Sequence, residues 1–207
     1  MNKLVKDALV LTCITLIAGF ALGLVYEITK APIAKAEADA LQAAYQSVFK
    51  DADSFNDMKD FDAAKATALV NEAGFTDDSI DNCVEAVDAS GNVLGYVITV
   101  TTSAGYGGDI TFSVGITNDS VINGYSITSI SETAGLGMKA RDTGAGTFSS
   151  QFVDRAAEIF TVTKGGASNS SEVDAISAAT ITSKAMTNGI NASVTYFNSL
   201  VGGAANE

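Results

Sequence analysis

The residues best suited to chemistry sit close together near the C-terminus, in Asp174-Ala-Ile-Ser177-Ala-Ala-Thr180-Ile-Thr-Ser183. Small residues surround hydroxyls there, directly before a segment in which Met186, Ile190, Val194 and Phe197 recur at helical intervals. Backbone N–H groups at a helix start are unpaired and the helix dipole is positive there, so a phosphate can dock. A threonine at that point could hold the phosphate covalently, and the phosphodiester would keep one negative charge for the dipole to stabilise. The same Ser and Thr residues would equally serve as ordinary N-caps. Thr182 and Ser183 stand near enough to compete as acceptors.

Absences narrow the chemistry further. The 207 residues include no His and no Trp. Without His there is no Ser-His-Asp or Cys-His machinery and no His-ligated zinc or haem. Two cysteines cannot hold an iron–sulfur cluster, and Cys13 lies in an apolar run far from Cys83, which argues against a disulfide. Any redox chemistry must borrow a cofactor that needs neither His nor several Cys, and flavin meets that condition. Beyond Tyr26 there are 23 acidic residues against 10 basic ones, a balance that repels nucleic acid.

Three further positions could contribute to a site. Ser131-Glu132-Thr133-Ala134-Gly135-Leu136-Gly137 is a glycine-containing loop that could approach a ligand closely or simply turn the chain. Tyr106-Gly107-Gly108 could cover a ring or merely join two strands. Lys184, one turn into the last helix, could neutralise a phosphate or be solvated.

These residues must be positioned by the elements between them. Cys83–Asp88, Val93–Thr102, Ile110–Thr117 and Val121–Ser129 are β-branched and alternating, with turn clusters between, so they read as an antiparallel meander. Gln151–Phe160 reads as a short helix with Phe152, Ala156, Ile159 and Phe160 on one side, and Lys164–Glu172 as a polar loop. The last helix is expected over Ser183–Leu200. Upstream, Ile33–Phe49 reads as a helix with Leu41, Tyr45, Val48 and Phe49 at helical spacing. An acidic connector follows over Asp51–Asp62, then a short helix ending near Gly74.

The 19 uncharged residues from Ala8 to Tyr26 are enough to cross a hydrocarbon core. Their length and the lack of a convincing cleavage site favour a retained anchor over a signal peptide. Lys3 and Lys6 place the N-terminus in the cytoplasm and the remainder outside. Pro32 is expected to end this helix or to begin the next one. The resulting class is α+β: an antiparallel sheet with flanking helices, preceded by one transmembrane helix. The expected divisions are residues 1–30 as cytoplasmic stub and span, 31–82 as a helical membrane-proximal region, and 83–207 as the binding domain.

Asp174-x-x-Ser177-Ala178-Ala179-Thr180 closely resembles D-x-x-[ST]-G-A-[ST], the signature read by flavin transferases. Ser131 to Gly137 resembles the S-E-T-P-G-L-G segment of FMN-binding domains. With the N-terminal span, the strands and both motifs in family order, the chain is similar throughout to the G subunits of Rnf complexes, the ion-translocating ferredoxin:NAD oxidoreductases. The C subunit of the sodium-translocating NADH:quinone oxidoreductase is a close relative of that family. Ala178 stands where Gly is usual, and a positive φ there would disfavour its methyl group. Ala134 stands where Pro is usual.

The resemblance implies FMN held covalently as a phosphoester of Thr180, with Ser177, Ala178 and Ala179 shaping the approach and Asp174 serving transferase recognition. It places Glu132, Thr133, Gly135, Leu136 and Gly137 near the isoalloxazine; Tyr106 is a further candidate for covering the ring and Lys184 for neutralising the phosphate. It implies an electron-carrying subunit with no complete active site of its own, residing in a bacterial inner membrane with an extracytoplasmic C-terminal domain. The implied partners are the other membrane subunits of the complex and a maturing flavin transferase. Two other readings compete: a membrane-anchored module binding a ligand or partner without redox activity, and a free-standing FMN reductase.

Overall fold

The computed structural model describes residues 3–204, which divide between two compact units, Met1–Gln42 and Ala43–Glu207. The described residues of the first unit belong to helix α1 (Lys3–Val48), whose most apolar stretch has a mean hydropathy of 2.5 and no buried residue. It is long and apolar enough to cross a membrane. The hydroxyls of Thr12, Thr15 and Thr29 donate to carbonyls one turn back, so they present no unpaired donor along the helix. Pro32 does not end the helix as its sequence suggested. Proline removes one intrahelical N–H bond, and the Ala-, Lys- and Glu-rich residues after it carry the helix onward to Val48.

The second unit is built on a six-stranded antiparallel sheet in simple chain order: β1 (Ser54–Asp57), β2 (Asp78–Val87), β3 (Val93–Thr102), β4 (Ile110–Thr117), β5 (Val121–Ser129) and β6 (Arg155–Ala156). Alternation fixes which face each side chain joins. Tyr96, Ile98 and Val100 of β3 and Ile110, Phe112, Val114 and Ile116 of β4 face helix α3 (Thr180–Ala204). Gly189 of α3 lets the helix settle on the sheet, since a Cβ there would lie 2.6 Å from the Phe112 ring. Phe197 meets Tyr96 edge-on at 6.0 Å.

The opposite face is small and polar. Gly95 and Gly115 admit Phe49 and Val48 from the end of α1, while Tyr45 and Ser113 both reach Thr99. Helix α2 (Ala63–Glu72) starts on Asp62, whose carboxylate accepts from the Ala64 and Lys65 N–H groups, and ends before Gly74 at φ 105°.

The structure corrects the sequence reading at four further points. Strand β2 begins at Asp78, five residues before the expected Cys83. The acidic connector contains a strand, β1, which pairs with β2 along the sheet edge. The last helix begins at Thr180, three residues before the expected Ser183. Gln151 closes a short 3-10 turn, Ser149–Gln151, and residues 152–160 form no helix. Asp154 lies at φ 57°, and Arg155–Ala156 instead pairs with β5 as β6. Phe152 and Phe160 are still buried, their rings 5.4 Å apart, but Ile159 faces solvent. The Asn191 side chain fixes Phe160 by bonding both its N–H and its carbonyl. A short parallel pair, β7 (Thr161–Thr163) with β8 (Glu172–Asp174), then delivers the chain to α3.

Candidate functional site

Thr180 is the first residue of α3, and its hydroxyl accepts and donates no hydrogen bond among the described residues. The first backbone bond of the helix start runs from Ser183 N–H to the Ala179 carbonyl, 3.0 Å. Ala179 has no polar side chain to cap the turn, and the N–H groups of Thr180, Ile181 and Thr182 have no partner among the described residues. Three donors and the positive end of a 25-residue helix therefore converge beside an unengaged hydroxyl.

The two neighbouring hydroxyls differ from Thr180. Ser183 is fully buried, and its Oγ accepts from Ile176 N–H at 2.9 Å and donates to the Ala179 carbonyl at 2.9 Å. Esterification there would remove the proton it donates to Ala179 and force a phosphate into the core. Thr182 is also buried. Thr180 alone is half-exposed.

The loop before Thr180 contains the departure from the family pattern. Ala178 sits at φ 62°, one of three non-glycine residues with positive φ among those described. The position does require the left-handed conformation, so glycine is the unstrained residue there and alanine costs about 1 kcal/mol. Ala178 is exposed, so its methyl group meets no steric conflict in the core.

A cavity of about 550 Å³ opens beside this turn, lined by Tyr106, Glu132, Thr133, Leu136, Gly137, Ala178, Ala179 and Thr180, with Ile181 and Thr182 completing it. That volume is in the range of about 300–1,000 Å³ usual for small-molecule sites. The buried Glu132 carboxylate joins its walls. Oε1 accepts from the N–H groups of Tyr106 at 2.7 Å and Gly107 at 3.2 Å. Gly137 packs between Glu132 and Thr182: a Cβ on it would fall 2.5 Å from Glu132 Oε2 and 2.7 Å from Thr182 Oγ1. Gly137 is thus needed for the loop to meet α3. Gly135, at φ 76°, closes the turn in which Thr133 O accepts from Leu136 and Met138 N–H.

The rim is apolar. Among the described residues of the second unit, six large hydrophobic side chains are exposed, and three of them, Tyr106, Leu136 and Ile181, line this one cavity. Exposed apolar surface gathered at a concave site marks a place for a ligand. The cavity lining thus combines the hydroxyl at the start of α3 with exposed apolar side chains against which a largely apolar group could lie.

Three residues expected near this cavity lie elsewhere. Gly135 shapes the turn without lining the cavity. Lys184 is exposed on α3 and does not reach it. Ser177 lines a neighbouring groove with Lys139, Gln151 and Asp174. Ile181 was missed by sequence reasoning. Its signal is an apolar residue in the first turn of α3, off the stripe formed by Met186, Ile190, Val194 and Phe197.

The fold and cavity define a small ligand-binding domain, and residues 105–195 match the family model of the FMN-binding domain. The chain is 32% identical over 197 residues to the G subunit of the Na(+)-translocating ferredoxin:NAD(+) oxidoreductase complex of Acetobacterium woodii, covering 94% of this chain and 92% of that one. The G subunit of the proton-translocating ferredoxin:NAD(+) oxidoreductase complex of Clostridium ljungdahlii is 32% identical over 199 residues, 94% and 91% of the two chains. The G subunit of the ion-translocating oxidoreductase complex of Methanosarcina acetivorans is 29% identical over 202 residues, 97% and 98%. Among solved structures, NqrC of Shewanella oneidensis aligns at TM-score 0.48 and 20% identity over 60% of this chain and 62% of that one. The chain belongs to the family of G subunits of ion-translocating ferredoxin:NAD oxidoreductase complexes.

Proposed function

We propose that this chain is an electron-relay subunit of a membrane-bound, ion-translocating ferredoxin:NAD oxidoreductase, carrying FMN as a phosphoester of Thr180. The observation that carries the reading is the pairing of a half-exposed hydroxyl with three N–H groups, all without a partner among the described residues, beside a cavity with exposed apolar side chains in its lining. The phosphate would sit at the α3 N-terminus, and Tyr106, Leu136 and Ile181 would flank the ring. Glu132, Thr133 and Thr182 supply the polar wall. The flavin supplies one- and two-electron chemistry, while the chain supplies position and electrostatics.

The family supports other membrane subunits as partners, and the acceptor site calls for a flavin transferase. With α1 spanning an inner membrane and its N-terminus inside, the second unit lies on the outer face, where a covalent link would prevent cofactor loss. Protease added to intact spheroplasts should then digest the second unit; protection there would reverse the orientation.

Intact mass after expression with and without an active flavin transferase tests the cofactor directly. A gain of one FMN only with the transferase, and a fluorescent band that survives denaturing electrophoresis, is the expected result. A chain that stays colourless with an active transferase and FAD would overturn the proposal.

A further inference from the structure

The segment that presents Thr180 is fixed to the domain by bonds that all end on backbone atoms. Gln151 clamps Asp174 from both sides: its Oε1 accepts from Asp174 N–H at 2.6 Å and its Nε2 donates to the Asp174 carbonyl at 3.1 Å. Ala175 N–H donates to the Thr163 carbonyl at 2.8 Å. Ser183 then spans the turn, holding Ile176 N–H and the Ala179 carbonyl through one hydroxyl. Between these anchors Ala178 is kept in a left-handed conformation that alanine seldom adopts.

The side chains along the segment are sorted by the same bonds. Val173, Ile176 and Ala179 are buried. Asp174, Ser177 and Ala178 are exposed and Thr180 is half-exposed. An enzyme reading this stretch as an extended peptide would have to pull Ile176 and Ala179 out of the core. An enzyme reading the folded surface meets Asp174, Ser177 and the Thr180 hydroxyl already in place.

We propose that Gln151 and Ser183 are positioning residues that hold residues 174–180 as a preformed substrate, and that the flavin transferase acts on the folded domain. The proposal rests on Thr180 being the FMN attachment point. In the transfer, Thr180 Oγ1 attacks the phosphorus of FAD that bears riboflavin. The Oγ1–P bond forms as the pyrophosphate P–O bond breaks, AMP leaves with the electron pair, and the threonine proton passes to a base of the transferase. Attack of this kind depends on the hydroxyl being held in line, and misplacement by about 1 Å costs on the order of a hundredfold.

The test compares initial rates of covalent flavin incorporation into the purified full-length chain in detergent, with transferase and FAD supplied. Gln151→Ala and Ser183→Ala are compared with Val70→Ala, which loosens the core at a buried site in α2. Melting temperatures are measured alongside. Gln151→Ala and Ser183→Ala should be slowed about ten- to a hundredfold, with flavin still mapped to Thr180. Val70→Ala should be labelled at close to the wild-type rate although it melts earlier. If the transferase instead requires an opened peptide, all three variants will be labelled as fast as wild type or faster, and the proposal fails. Should Ser183→Ala not fold, Gln151→Ala decides alone, because it removes only a half-buried surface side chain. A wild-type chain that takes no flavin at all refutes the attachment reading itself, an outcome distinct from labelling that ignores the latch.

Discussion

Helix α3 changes character within three turns. Its first turn carries free N–H groups, an unengaged hydroxyl and the exposed Ile181, and side chain–backbone bonds hold the approach to it. From Met186 to Phe197 the same helix is packed against β3 and β4, with Met186, Ile190, Val194 and Phe197 all fully buried. Packing of this kind contributes most of the stability of a domain, whereas a helix end left uncapped gives some away. The domain thus separates the two demands along one element: the middle of α3 secures the fold, and its first turn is left chemically open.

Substitutions should respect that division. The largest loss of stability is expected in the middle. Phe197→Ala removes a fully buried ring that meets Tyr96, and should cost about 3–5 kcal/mol in denaturant unfolding. Flavin incorporation by whatever fraction remains folded should continue. A loss below about 1 kcal/mol would mean the middle of α3 does not anchor the fold.

A pH dependence follows from Asp78, which is buried where Gly189 of α3 crosses the start of β2 and whose Oδ1 has no hydrogen-bond partner among the described residues. Burial raises its carboxyl from 3.8 to about 6, with the Asp77 charge adding to the shift and the Thr102 hydroxyl opposing it. The folded state therefore binds this proton more tightly than the unfolded one. Its contribution to stability is complete below about pH 4 and is lost as pH rises through about 6. Asp78→Asn should remove that loss and stabilise the domain at pH 8 by up to about 3 kcal/mol, with little gain at pH 4. Equal effects at both pH values would show that Asp78 does not titrate in this way.

These predictions rest on structure that the sequence disclosed unevenly. Strands β3, β4 and β5 begin and end where β-branched alternation and the Ser90-Gly91-Asn92 and Asn118-Asp119-Ser120 turns imply. Residues 151–160 misled because Phe152, Ala156 and Phe160 also fit a helical period. What decides their course is Asp154 in a left-handed conformation and a bond from Asn191, 31 positions from Phe160. The grouping of Glu132, Thr133, Leu136, Gly137 and Thr180 around one cavity was legible through motif resemblance. Gln151 and Ser183 were not, because both act on backbone atoms and such bonds leave no mark on the pattern of residue types. The early start of α3 was hidden for a related reason: Ala179 precedes it with no polar side chain to signal a cap.

The smallest expected change sharpens the comparison at the open end. Ala178→Gly relieves the φ of 62° and should stabilise the domain by about 1 kcal/mol, with flavin incorporation at least as fast as wild type. Destabilisation on this substitution would place the turn in another conformation in solution.

Thr180, and neither hydroxyl beside it, is proposed to carry the flavin. Peptide mapping of the flavinylated fragment, run on wild type and on Thr180→Val, tests this most directly. Flavin is expected on Thr180 alone in the wild type. None is expected in Thr180→Val, in a domain whose stability changes by less than about 1 kcal/mol. Flavin found on Thr182 or Ser183, or undiminished in Thr180→Val, would contradict the assignment.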